Sequence, residues 1–229
     1  MAASLDLPRR WMFGAVVLLS AAPAFAQAPP KSKASDATIT ATERLMRNNG
    51  VLMRVLVIYD AGIRRLGQDE DMEPSIFIQT AEVMRDFVHA YHEKAEEEQV
   101  FPHFKKAGRM VELVDVLQAQ HQAAQKLTDR ILQTAESARS SKTDRTAMIE
   151  AMKASCTLYH PHMARETTDI LPTLRSLVTP AEFDEIGEAL TKREVGLFGA
   201  DGLEKVAKRV EALEKRIGIH DLSQFNPKS

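Results

Sequence analysis

Tyr91-His92-Glu93-Lys94-Ala95-Glu96-Glu97-Glu98 decides the fold. The run favours helix, being free of glycine and proline and rich in strong helix formers. It sets a histidine and a glutamate four residues apart, on one face and one turn from each other. The same spacing returns in His162-Met163-Ala164-Arg165-Glu166. Each pair can present an imidazole nitrogen and a carboxylate to one point. A carboxylate spanning two metals, with imidazoles in outer positions, suits a non-haem iron pair.

Working outward, glycine and proline are scarce inside the long segments around these pairs, where Ala, Leu, Met, Glu, Arg and Lys dominate. The pattern predicts helices over 38–66, 74–106, 109–139 and 144–177. The first carries apolar residues at Leu45, Leu52, Leu56, Val57 and Ile63, and Pro74 suits the first turn of the second. Links near 67–73, at Gly108 and over 140–143 are short, which makes neighbours antiparallel. Thr179-Pro180-Ala181-Glu182 is a capping box with proline at the first helical position and opens a fifth helix. A sixth is expected over 203–217, after the glycine-rich 198–202. The expected fold is all-α: an up-down antiparallel four-helix bundle over 38–177, with two additional C-terminal helices in an extension, 178–229, packed outside it. The tail 221–229 is expected to be loose. Met46, Met53, Met84, Met148 and Met152 read as core filler, and the lone Cys156 as a small buried apolar residue. No internal repeat stands out.

Counting from the turns tests whether the pairs could meet. His92 and Glu96 lie 16 and 12 residues before Gly108, and His121 lies 13 after it. At about 1.5 Å per residue, all three stand roughly 18–24 Å from that turn. From Lys142, His121 is 21 residues back, while His162 and Glu166 are 20 and 24 forward. The same height on the first helix falls at about 46–50, which includes Asn48 and Asn49.

The N-terminus reads as an export signal. Arg9 and Arg10 precede an apolar run from Trp11 to Leu19, and Ala24-Phe25-Ala26 is an A-x-A cleavage site. The expectation is a signal peptide at 1–26 with weak twin-arginine character, a flexible tether at 27–37, and a periplasmic or otherwise exported protein. The apolar run is short for a bilayer span, so no stable span is expected after cleavage. A formal net charge of −2, with basic and acidic residues interspersed, gives no sign of a nucleic-acid partner. A lone cysteine forms no internal disulfide. There is no Cys-x2-Cys-His for covalent haem, no His-Glu-x2-His for a zinc protease and no pair of Glu-x2-His for a ferritin-type site. Glu97 and Glu98 read as a solvated face, His103 and His220 as surface residues. His89, one turn before His92, reads as a supporting or an exposed group; His160 precedes Pro161, which kinks or loosens the helix locally, and a replacement ligand is the lesser alternative there.

These pieces together resemble the hemerythrin-like, HHE cation-binding family. The resemblance is carried by residues 45–52, by 91–98 with Phe101-Pro102, by Gln120-His121, and by Tyr159-His160-Pro161-His162 through Glu166 to Leu171-Pro172. The segment around Phe198-Gly199 and residues 218–222 look like the extension of bacterial members. The resemblance implies a carboxylate-bridged di-iron site in the bundle core. His92 and His162 would be terminal ligands, Glu96 and Glu166 bridging ligands, and His121 the ligand from the third helix. Glu93 matches an additional acidic position of some members. The family's helix-one histidine falls on Asn49, and Gln125 stands where oxygen-carrying members have a second helix-three histidine. The site implied is more open and has one nitrogen fewer. A mononuclear iron, zinc or manganese site is an alternative to the iron pair. The implied activities are iron handling and the binding or sensing of dioxygen or another diatomic ligand. Two further readings stay open: a degenerate helical interaction module, and a metal-dependent oxidase or peroxidase.

Overall fold

Thr40 starts the first helix. Its hydroxyl accepts the Glu43 N–H, and the Glu43 carboxylate accepts the Thr40 N–H, a complete capping box. The computed structural model describes residues 39–227. The signal and tether read from the sequence lie outside the described residues.

Helix α1 (Ala41–Leu66) is the first rod. The second rod begins with α2 (Pro74–Val83), passes through a π-helical stretch (Met84–Glu93), and ends in α3 (Lys94–Gln99) and α4 (Phe101–Ala107). The third is α5 (Val111–Thr134), followed by a 3₁₀ turn (Ser137–Arg139). The fourth joins α6 (Lys142–Arg165), a second π-helical stretch (Glu166–Ile170) and α7 (Leu171–Leu177). Two more helices follow, α8 (Pro180–Phe198) and α9 (Gly202–Arg216). The Thr179 capping box forms as expected. No strand occurs among the described residues, and none of their helices is long and apolar enough to cross a membrane.

Several expectations need correction. The second and fourth helices are not uniform, because each carries a π stretch and a proline ten residues after its histidine. Pro102 lacks an N–H and crowds the Glu98 carbonyl, and the second rod breaks at Val100. Pro172 acts similarly: just before it, the Leu171 N–H reaches back five residues to the Glu166 carbonyl, a π-type bond. His-x3-Glu followed by proline is thus a short internal repeat that the sequence reading passed over. The third helix starts later than expected, because Gly108 and Met110 take left-handed backbone at φ 64° and 51°. The tail is not wholly loose, since Asp221 caps a 3₁₀ turn at Leu222–Phe225. Met46 and Met53 are exposed, whereas Met84, Met148 and Met152 are buried. On α1 the inward face belongs to Leu45, Leu52 and Leu56, and each of those methionines sits one residue, about 100°, round from it.

The packing forms a ring. Helix α1 lies against α6, α6 along α5, α5 against the second rod, and the second rod against α1. The apolar interior falls into two clusters. One holds Leu52, Tyr59, Phe77, Phe87, Tyr91, Ala124, Tyr159 and Met163 among others. The other holds Leu45, Ala95, Phe101, Phe104, Leu117, Ile170 and Leu174. On every rod a buried polar segment stands at the boundary: Asn48 and Asn49, then His92, Glu93 and Glu96, then His121, then His162 and Glu166.

Helices α8 and α9 pack on α1 and the second rod. Buried Glu194 pairs with Arg44, takes a hydrogen bond from Tyr91 OH (3.1 Å) and accepts the Leu203 N–H (3.1 Å). Arg54 grips Glu214 through two bonds of 2.8 and 2.6 Å. Arg193 donates to the Ala90 carbonyl inside the first π stretch (3.1 Å).

Candidate metal centre

Four buried side chains converge in the polar layer. One ligand atom from each of Glu96, His121, His162 and Glu166 lies within 4.8 Å of the other three. The second rod supplies Glu96 just past its π stretch, α5 supplies His121, and the fourth rod supplies His162 and Glu166. The imidazoles of His121 and His162 lie beside each other, tilted by 55°, with centroids 5.0 Å apart. Phe101 stacks on His121 at 5.7 Å, and Tyr159 meets His162 edge-on at 5.7 Å, so carbon walls fix both rings.

Each of these rings is held from behind. His121 Nδ1–H donates to Glu97 Oε1 (3.1 Å), and His162 Nδ1–H donates to Gln120 Oε1 (2.9 Å). Such bonds select the tautomer whose Nε2 carries a lone pair. His162 Nε2 then stands 2.7 Å from Glu166 Oε1, without hydrogen-bond geometry. His121 Nε2 is 3.7 Å from Glu96 Oε2, too far for a hydrogen bond. His121 Nε2, Glu166 Oε1 and both oxygens of Glu96 are buried with no hydrogen-bond partner. Polar atoms left without partners in a buried layer are costly. A cation among them removes that cost, so the donor set fits a metal ion. Imidazole and carboxylate donors suit iron, zinc or manganese.

Electrostatics in the layer are polarised. Burial and the neighbouring Glu166 carboxylate push the Glu96 carboxyl well above its usual range. Burial also opposes ionisation of Glu166, but the imidazoles of His162, His92 and His121 outweigh it and pull the group down to about 2. Glu97 is held at about 2 by its hydrogen bond from His121, helped by Lys94 and opposed by burial. His92 is pulled down to about 4, chiefly by burial.

His92 is placed differently from the other four residues proposed as ligands. It is buried, but its Nε2–H donates to Asn49 Oδ1 (2.9 Å), and it stands 3.8 Å from Glu96. Asn49 in turn donates from Nδ2 to Glu166 Oε2 (3.1 Å). Glu93 turns away from the cluster: its oxygens accept from Tyr159 OH (2.6 Å) and His89 Nδ1–H (2.9 Å). His89 is buried and pairs through Nε2 with Thr128 Oγ1 (2.8 Å). His160 is exposed, outside the converging group. The sequence reading missed Glu97 and Gln120. Glu97 is half-buried behind His121 rather than part of a solvated face. The signal that could have found it is its place beside Glu96, at the height of His121.

The family model described as hemerythrin HHE cation-binding domain matches residues 40–174. An uncharacterized protein of Mycobacterium bovis and uncharacterized proteins of two strains of Mycobacterium tuberculosis are each 38% identical to this chain over 200 residues, covering 87% of it and 78% of theirs. Since 177 residues precede the extension, a match of 200 runs into it. No solved structure gives a significant match.

Proposed function

The chain belongs to the hemerythrin HHE cation-binding family, and on that premise we propose that it binds iron in the polar layer, at Glu96, His121, His162 and Glu166. One observation carries this reading: buried acceptor atoms from three rods converge with no hydrogen-bond partner. We read the four rods as an up-down antiparallel bundle, supported by the ring of contacts and the short links. Bound iron would supply redox chemistry and affinity for a small diatomic ligand such as dioxygen. The chain's own residues do the rest. Glu97 and Gln120 aim the two imidazoles, Phe101 and Tyr159 wall them in, and the two apolar clusters exclude water. We read residues 1–26 as the signal that takes the protein to the periplasm. N-terminal sequencing of protein from that compartment should begin at Gln27, and an intact Met1 would remove this part of the proposal.

Reconstitution with ferrous iron under nitrogen, followed by desalting and metal analysis, tests the function. The chain should retain iron and melt at a higher temperature. Ligand at a hundredfold excess over its Kd stabilises by about 2.7 kcal/mol. His162→Ala and Glu166→Ala should lose both the iron and the shift. Retention of no iron by the parent would sink the reading and leave a helical interaction module.

A further inference from the structure

Asn49 meets two groups that a second ion would need. A carboxylate only accepts, so the amide NH2 of Asn49 faces Glu166 Oε2 and the amide oxygen faces His92. His92 therefore carries its proton on Nε2, and that nitrogen has no lone pair to offer. Glu166 keeps Oε1 free and has committed Oε2 to the amide. His121 and His162 are held in the opposite sense, with protons drawn to the outer nitrogens by Glu97 and Gln120.

The distances also suit a single ion. Ligand atoms on opposite sides of one ion, each about 2.0–2.2 Å from it, stand roughly 4.0–4.4 Å apart. Two ions about 3.5–4 Å apart would spread the outermost ligand atoms to roughly 8 Å. One atom from each of the four residues lies within 4.8 Å of the other three, so a single ion can draw on all four with a small inward shift. The 5.0 Å separation of the His121 and His162 rings agrees, because both imidazoles then flank one point.

We infer that Glu96, His121, His162 and Glu166 hold one divalent cation, and that Asn49 sets this number by keeping His92 Nε2 and Glu166 Oε2 out of its coordination. The inference rests on the reading of the polar layer as an iron site. Asn49 is a specificity-determining residue in this account: a histidine there would add a nitrogen and release both groups at once.

The test is an anaerobic ferrous titration of the full chain, with metal counted per chain after desalting. Electron paramagnetic resonance of the oxidised protein then separates an isolated ferric ion from a coupled, silent pair. The expected result is one ion and an isolated ferric signal in the parent, and two ions with a diminished signal in Asn49→His. Two ions in the parent would overturn the inference and leave the iron reading standing. No ion in the parent would overturn both. One ion in the parent and in Asn49→His would show that Asn49 does not set the number. Should Asn49→His fail to fold, Asn49→Ala frees the same atoms without added bulk and must raise the count above one, or the inference fails.

Discussion

Glu96 has neither carboxyl oxygen in a hydrogen bond and holds its proton well above the usual carboxylate range, through burial and the Glu166 charge. The unfolded chain releases that proton near the ordinary value of 4.5. Stability from this group is therefore full below that pH and is lost as pH rises through the raised value. Glu166 and Glu97, held at about 2, act with the opposite sign: their contribution is present above the ordinary value and lost as pH falls through about 2. His92, held at about 4, contributes stability above 6.5 that is lost as pH falls through 4. The melting temperature of the metal-free parent should therefore fall relative to that of Glu96→Gln as pH rises from 4.5. An equal slope in both proteins would refute the assignment. At this scale the sequence was legible for ligand candidates, because helical rise alone puts His121, His162, Glu96 and Glu166 at one height. It was not legible for Asn49 against His92, or for Glu97 and Gln120. Those pairings depend on which way an amide or ring faces, and spacing carries no information about that.

Helix α1 meets the start of the second rod closely enough to exclude a methyl group. A Cβ on Gly62 would stand 2.4 Å from Cε1 of Phe77, a ring buried in the larger apolar cluster. Alanine would gain about 1 kcal/mol of helix propensity. Overpacking a filled core costs about 1–3 kcal/mol, and this ring is buried. Gly62→Ala should therefore lower the midpoint of urea unfolding with an unchanged slope, and a raised midpoint would show that the helices slide apart freely. Helix ends were readable because caps are local: Thr179-Pro180-Ala181-Glu182 performs as its sequence says. The π stretches were not, since the bonds that widen a helix by one residue look the same in composition as those that do not. Pro102 and Pro172 were visible, but their effect depends on carbonyls upstream.

The extension matters to the molecule as a whole. Glu194 is buried and joins Arg44 of α1, Tyr91 of the second rod and the backbone of α9 in one contact. Removing its carboxylate leaves the largely buried Arg44 without its partner, a loss of about 3–5 kcal/mol. Glu194→Ala should unfold at lower urea and be cut faster by protease between α8 and α9, and unchanged behaviour in both would show the clamp to be ornamental. The sequence placed these helices outside the four rods but could not pair Arg44 with a glutamate 150 residues away.

The position of the polar layer between two apolar clusters has a kinetic side. Hydrocarbon closes it above and below, so an ion has no lengthwise path to His121 and His162. An ion would have to enter sideways, between rods, and the half-buried Glu97 and Gln120 stand behind the two imidazoles. The side chains that aim the imidazoles would thereby also be the ones an exchanging ion has to pass.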